Sequence, residues 1–185
     1  MRRDLEPAFD RLEATRERIL RRLGGLDRAL LNRPPARGGW SALQVLHHVM
    51  TAETVTLDYI GKKMKAGADL PRAGLVSRLR LLVLRVVLAS PLRFKAPARS
   101  AGVPAEIEEE ELRARWESVR AAWRERLDGF PPELIDRTVL RHPYVGLMGL
   151  RDTLGFMQAH LDHHLRQLDR VLAEHSSGVG ATPPG

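Results

Sequence analysis

Four long stretches of this sequence place apolar residues three or four positions apart, which is the spacing of one face of an α-helix. Clusters of proline and glycine separate them, for example residues 32–39 and 129–132, and such clusters end helices. We find neither the alternation of a half-buried strand nor an internal repeat. The pattern therefore predicts an all-α protein whose long helices cover residues 6–31, 41–67, 106–129 and 150–174.

A fifth, shorter helix is predicted over residues 74–88, which are strongly apolar but contain arginines 78, 80 and 85. This segment is too short to span a bilayer. It could lie on a membrane surface, but a crossover helix that packs on the bundle or contacts a second subunit is the favoured interpretation. The sequence thus predicts one domain over residues 1–175, an up-and-down four-helix bundle with a short crossover helix, and a flexible tail over residues 176–185.

The charge and cysteine content narrow the possible functions. The net charge of +7 comes mostly from arginines in every segment, often beside Glu or Asp, without the aromatic residues of a nucleic-acid surface. We therefore predict no specific nucleic-acid partner. The absence of cysteine excludes disulfides, thiolate zinc sites and a thiol nucleophile in the protein itself. No apolar signal core follows the first residues, so we predict a cytoplasmic protein without a membrane span.

Histidines are concentrated in two of the predicted helices. His160 and His164 are four residues apart, so their imidazoles lie on one helix face, whereas His163 points about 100° away from His164. A second pair, His47 and His48, lies in an apolar stretch of an earlier helix, and the helical periodicity leaves open which of the two faces the bundle. Such pairs also arise by chance. Three imidazoles that meet in a bundle would hold a divalent metal and leave one position open, as in catalytic sites.

Several short motifs occur in an order that resembles a known family. They are Trp40-Ser41 followed by His48, Phe94-Lys95-Ala96-Pro97, His142-Pro143-x-x-Gly146, and His160-x-x-His163-His164-x-x-Gln167. Together they resemble the landmarks of the DinB-like (YfiT-like) metalloenzyme superfamily over residues 6–172. The resemblance implies a four-helix bundle, often a homodimer, with a divalent metal held by three histidines.

The resemblance also implies roles for individual residues. The metal ligands would be His48, His160 and His164, and the metal would be zinc or nickel. Other candidates for the surroundings of the metal or for the pocket are Gln44, which stands where relatives often carry an acidic residue, Gln167, which could bind a ligand or a water, and His163 and His142. Glu53 is disfavoured as a ligand, because five residues after His48 it lies about 140° around the helix.

The same family suggests the chemistry. Characterised relatives transfer or isomerise substrates with low-molecular-weight thiols, and others are assigned as hydrolases. The resemblance therefore implies a metal-dependent hydrolase or thiol transferase that acts on a small molecule, with its catalytic residues unidentified. Two alternatives stay open: a non-catalytic bundle that binds a metal or a ligand, and a basic peripheral protein whose helix 75–88 contacts a membrane or nucleic acid.

Overall fold

The protein is described by a computed structural model over residues 3–36, 38–65, 67–72, 74–90 and 102–178. Within these ranges it contains six α-helices and one antiparallel two-stranded sheet. The helices are α1 (Glu6–Leu23), α2 (Arg28–Asn32), α3 (Ala42–Met64), α4 (Leu75–Ala89), α5 (Glu109–Asp128) and α6 (Leu150–Gly178). The strands are β1 (Thr138–His142) and β2 (Gly146–Gly149), and 3-10 turns cover Gly67–Asp69 and Pro132–Leu134.

The four long helices α1, α3, α5 and α6 surround the main apolar core. Helix α6 packs against α1 and α3, and α3 packs against α5. Each helix contributes side chains at helical spacing, including Phe9, Ile19, Leu46, Ile60, Trp116, Trp123, Leu161 and Leu168. The prediction of a mostly helical protein is confirmed, and the up-and-down order of a four-helix bundle stays a prediction.

The first predicted helix is wrong in its extent. Residues 6–31 form two helices because α1 ends at Leu23, and Gly25 then adopts a φ of 82°. This left-handed backbone is accessible to glycine but disfavoured for other residues. A short helix, α2, starts after Asp27, whose side chain accepts a hydrogen bond from the Leu30 nitrogen at 3.1 Å. The second predicted helix likewise ends at Met64 rather than near residue 67.

The predicted absence of strands is also wrong. The loop before α6 folds into the hairpin β1–β2, which turns at Gly146 with a φ of 89°. Its apolar residues Leu140, Val145 and Met148 pack with Leu81 of α4 in a second, smaller core. The hairpin therefore joins α4 to the rest of the molecule and lies close to the start of α6.

Helix α4 is the short helix that the sequence predicts, and it packs on α6 and β2; its role as a crossover stays a prediction. The connection that follows it, including the Phe94-Lys95-Ala96-Pro97 motif, lies outside the described residues. The last helix continues to Gly178, three residues into the predicted tail, and residues 179–185 are not described. Among the described helices, none combines the length and the apolar character needed to cross a bilayer.

Candidate metal centre

The start of α3 is fixed by a reciprocal cap. The Ser41 hydroxyl accepts a hydrogen bond from the Gln44 backbone nitrogen at 3.2 Å, and the Gln44 side-chain oxygen accepts one from the Ser41 nitrogen at 3.0 Å. Both bonds satisfy backbone donors that the first turn of a helix leaves unpaired. Because the cap fixes where α3 begins, it also fixes the direction of His48, about two turns later.

His48, rather than His47, faces the last helix. The His48 ring lies 4.9 Å from the Trp40 ring, 5.4 Å from the His160 ring and 5.0 Å from the His164 ring, measured between centroids. His47 does not line the cavity described below, and its buried Nδ1 has no hydrogen-bond partner among the described residues. The structure thus decides the choice that helical periodicity left open.

The other two imidazoles stand one turn apart on α6. The Nε2 atoms of His160 and His164 are 3.1 Å from each other. Together with a ring nitrogen of His48, they form a group of three possible ligand atoms that all lie within 4.8 Å of one another. His163 is not part of this group of ligand atoms, as its position on the helix predicts.

This donor set fits a divalent metal ion. Two imidazole nitrogens at about 2.0–2.1 Å from one tetrahedral zinc ion are roughly 3.3 Å apart, close to the 3.1 Å between His160 and His164. Neutral imidazole is a favourable ligand for zinc, nickel, cobalt and ferrous iron. Three protein ligands would leave a fourth position for another molecule.

The protonation of the three rings favours metal binding. Burial lowers the pKa of His160 well below its usual range, with further contributions from His164 and His48, and burial and His48 lower the pKa of His164 to about 3. Burial and the neighbouring His47 lower the pKa of His48 as well. At neutral pH the rings are therefore uncharged and hold lone pairs that can bind a cation.

Gln167 orients one of these rings. Its Oε1 accepts a hydrogen bond from Nδ1–H of His164 at 2.8 Å. An amide oxygen can only accept, so the proton of His164 is on Nδ1 and the lone pair is on Nε2, which faces His160. A hydrogen bond to the outer nitrogen of a ligand histidine is the usual way in which proteins fix its tautomer and orientation.

The histidine group forms part of the wall of a cavity of about 740 Å³. Its other walls come from the chain before α3, the inner face of α4, the hairpin and α6. They are mostly apolar, and the lining residues besides the three histidines are Gly39, Trp40, Leu84, Val87, Leu88, His142, Tyr144, Phe156, His163 and Gln167. Gly39, Tyr144, Phe156 and the residues of α4 are not among the predicted site residues. For Phe156 a signal existed, because it stands one turn before His160.

His142 lines the cavity from the end of β1. Its Nδ1 accepts hydrogen bonds from the backbone nitrogens of Tyr144 and Val145, both at 3.3 Å. These bonds close the hairpin turn and place the ring proton on Nε2, and burial lowers the pKa of the ring. His142 is thus a neutral side chain that retains one N–H donor beside the cavity.

His163 connects the site to α4. Its Nδ1 lies 2.9 Å from the backbone oxygen of Leu88, and a guanidinium nitrogen of Arg166 donates to the same oxygen at 2.6 Å. Leu88 is near the C-terminal end of α4, where carbonyl groups lack partners within the helix. His163 therefore lines the cavity while it is bound to the neighbouring helix.

Gln44 and Glu53, which lie on the same helix as His48, do not line the cavity. The side chain of Gln44, besides its role in the cap, donates a hydrogen bond to the Pro104 oxygen at 2.9 Å. The buried carboxylate of Glu53 forms an ion pair with Arg120 at 2.7 Å. Neither residue lines the cavity, so the described lining contains no carboxylate beside the three histidines.

Comparison with known proteins gives the family. The profile of the DinB superfamily matches residues 11–168, which include all three histidines and most of the apolar core. This chain belongs to the DinB superfamily. No curated protein matches it significantly. A DinB-superfamily chain with a three-histidine group is compatible with a metal-binding enzyme.

Proposed function

We propose that this DinB-superfamily chain is a divalent-metal-dependent enzyme whose ligands are His48, His160 and His164, and that zinc or nickel is its metal. The observation that carries the proposal is the convergence of three neutral imidazoles on one wall of a mostly apolar cavity. A cavity of this size accommodates a small-molecule substrate.

The protein's own residues prepare the site. Trp40 packs against His48, and Gln167 holds the His164 tautomer. The apolar walls exclude water and hold an apolar part of the substrate, and His142 offers an N–H donor for a substrate oxygen or sulfur. When bound, the ion supplies a Lewis acid that activates a water or a thiol as nucleophile at neutral pH.

Of the two predicted reaction classes, thiol transfer fits the cavity better than hydrolysis. Among the described lining residues there is no Asp or Glu to act as a general base for water. A thiol needs less help, because its usual pKa of about 8.5 is already close to neutrality. The chain has no cysteine of its own, so the sulfur nucleophile would come from a low-molecular-weight thiol.

Metal analysis of paired variants tests the site. Purified metal-free protein is titrated with Zn²⁺ or Ni²⁺, and bound metal is measured by mass spectrometry. We expect one ion per chain, lost in His48→Ala and His164→Ala but retained in the neighbouring control His47→Ala. Folded wild-type protein that binds neither ion would disprove the proposal.

A turnover assay separates the catalytic proposal from a non-catalytic one. Metal-loaded protein is incubated with an electrophilic aromatic acceptor and either mycothiol or bacillithiol, and thioether formation is followed by chromatography. We expect product with the wild type and none with His164→Ala. Stoichiometric metal binding without turnover of any thiol or ester substrate would favour the alternative, a metal-binding protein that is not an enzyme. The absence of a carboxylate among the described lining residues also supports this alternative.

Two further predictions accompany this proposal. The homodimer, which the family resemblance implies, is tested by sedimentation velocity of the metal-loaded protein. The cytoplasmic location, predicted from the N-terminal sequence, is tested by fractionation of cells that express the full chain.

A further inference from the structure

Helix α4 has an unusual outer surface. The described residues contain nine exposed large apolar side chains, and six of these lie on this single helix. Each is at least 55% exposed, and they follow one another at helical spacing on one face: Leu75, Val76, Leu79, Leu82, Val83 and Val86. The opposite face of the helix contains the buried Leu81 and the cavity residues Leu84 and Leu88. The helix thus has apolar residues on both sides.

Arginines border this exposed face on both sides. At 100° per residue, Arg78 and Arg85 lie along one edge of the apolar stripe and Arg80 lies along the other. All three are exposed, and α4 contains no acidic residue. An apolar stripe flanked by arginines is the pattern of a helix that lies in the interface of a membrane, where long cationic side chains reach the headgroups.

The charge of the chain is concentrated around this helix. The sequence from residue 70 to residue 105 contains seven arginines or lysines and no Asp or Glu. The whole chain has a net charge of +7, so the rest of the sequence is neutral in sum. Although arginines occur in every segment, the excess positive charge therefore belongs to α4 and its flanking sequence.

We propose that the outer face of α4 docks on an anionic membrane surface. The apolar stripe would enter the boundary between headgroups and acyl chains, and the arginines would pair with anionic lipid headgroups. Burial of apolar surface and attraction by a basic cluster act together in reversible membrane binding. The helix would lie in the plane of the surface, since its fifteen residues are too few to span a bilayer.

The charges argue against the other occupants of this face. Two copies paired through α4 would bring their arginines together without any acidic residue on the helix to offset them. Nucleic acid would pair with the arginines but would leave the six apolar side chains exposed to water. An anionic lipid surface satisfies both parts of the pattern.

Vesicle sedimentation tests the docking. The full-length protein is mixed with vesicles of phosphatidylcholine alone, or with vesicles that contain about one-third phosphatidylserine. We expect binding to the anionic vesicles, at least about tenfold weaker binding to the neutral ones, and loss of binding at about 1 M salt, where the Debye length falls to about 3 Å. No binding to anionic vesicles at low salt would overturn the proposal.

Matched variants locate the surface. Leu79→Gln with Val83→Gln removes apolar contact, and Arg78→Gln with Arg80→Gln removes charge; we expect each pair to weaken binding about tenfold or more. The controls are Val55→Gln, an exposed apolar residue of α3, and Arg18→Gln with Arg21→Gln on α1, which should bind like the wild type. Equal binding by all variants would overturn the proposal.

The same variants distinguish a second copy as the occupant. Sedimentation velocity would show a second copy as a dimer that the double variant Leu79→Gln, Val83→Gln converts to a monomer. If, in addition, neither form binds vesicles, then α4 is a dimer interface and the membrane proposal is wrong. The vesicle assay does not use the metal, so its result is independent of the proposed enzymatic function.

Discussion

Helix α3 carries two polar side chains with opposite surroundings, the half-buried His48 and the buried Glu53. His48 faces the cavity, where its ring meets those of His160 and His164. Glu53 faces α5, where one carboxylate oxygen accepts from Arg120 at 2.7 Å and the other from the Trp116 indole nitrogen at 2.8 Å. The three histidine rings meet at the wall of a cavity, whereas the carboxylate of Glu53 has a protein donor at each oxygen and does not line that cavity.

The difference separates a structural polar cluster from a binding site. Around Glu53 the protein supplies the partners: the Trp123 indole also donates to the Glu53 backbone oxygen at 3.3 Å, and Arg120 donates to Glu13 at 3.0 Å. Around His48 the protein places three imidazoles at the cavity, where a cation can reach their ring nitrogens. Protein donors enclose the Glu53 carboxylate, so the histidine group, which borders the cavity, is the one that fits a ligand.

The largest expected effect is on the structural cluster. Glu53→Gln leaves the guanidinium of Arg120, 2% exposed, with only the partly buried Glu13 as its anion, so we expect a loss of up to about 3–5 kcal/mol in the free energy of unfolding. Urea denaturation measures it. The control Glu117→Gln removes an exposed carboxylate that pairs with Arg16 at 2.7 Å and should cost less than about 1 kcal/mol.

The metal content of the same variant tests whether Glu53 contributes to the metal site. Glu53→Gln protein that still folds should bind as much metal as the wild type, because Glu53 lies outside the cavity. If the variant lost metal but not stability, Glu53 would belong to the metal site rather than to a separate structural cluster.

The next effect concerns acid stability of the metal-free protein. The pKa of His164 is about 3 in the fold against 6.5 for the free side chain, so the unfolded chain takes up a proton first as the pH falls. The contribution of His164 to stability should therefore be constant above about pH 6.5 and decrease by a few kcal/mol toward pH 3, at about 1.4 kcal/mol per pKa unit. Denaturant titrations across this range measure it. In His164→Gln this part of the pH dependence should disappear; an unchanged profile would contradict the assignment.

A smaller effect is expected at the edge of the site. Gln167→Ala removes the acceptor for Nδ1–H of His164, so we expect metal affinity to fall about 10–100-fold with little change in stability. Competition with a chromogenic chelator measures the affinity. Gln167→Glu keeps an acceptor oxygen and should restore most of it. Wild-type affinity in Gln167→Ala would show that the hydrogen bond does not orient the ligand.

The smallest expected change in stability comes from the cap of α3, which precedes both His48 and Glu53. Ser41→Ala removes the cap of α3, and we expect a loss of about 1 kcal/mol in thermal or urea unfolding, against a few tenths for Ser41→Gly. Because the cap lies before both His48 and Glu53, metal stoichiometry should stay at the wild-type value. A selective loss of metal would show that the cap orients His48 alone.

The sequence carried enough information for the helices and for one side of the site. Apolar spacing predicts the four long helices, and the four-residue spacing places His160 and His164 on one face. It could not choose between His47 and His48, because both border apolar positions and the choice depends on where α6 packs. The break at Gly25 and the hairpin were missed because a single backbone angle and a very short strand pair leave almost no periodic signal.

The ion pair between Glu53 and Arg120 could not be predicted from the sequence for a related reason. Periodicity places Trp116 and Trp123 on the buried face of α5, and Arg120 lies between them on the same face. That an arginine there meets a glutamate of α3 depends on contacts far apart in the sequence. The helical angle alone did predict that Glu53 and His48 point in different directions.

The backbone oxygen of Leu88 has a consequence for communication across the molecule. This one acceptor holds both His163 and Arg166, the residues on either side of His164 and Leu165 in the chain. A rigid shift of α4 away from α6 would break both of these hydrogen bonds at once. It would thereby loosen the turn of α6 that carries His164, a proposed metal ligand. Events at the outer surface of α4 would thus be transmitted mechanically to the centre of the protein.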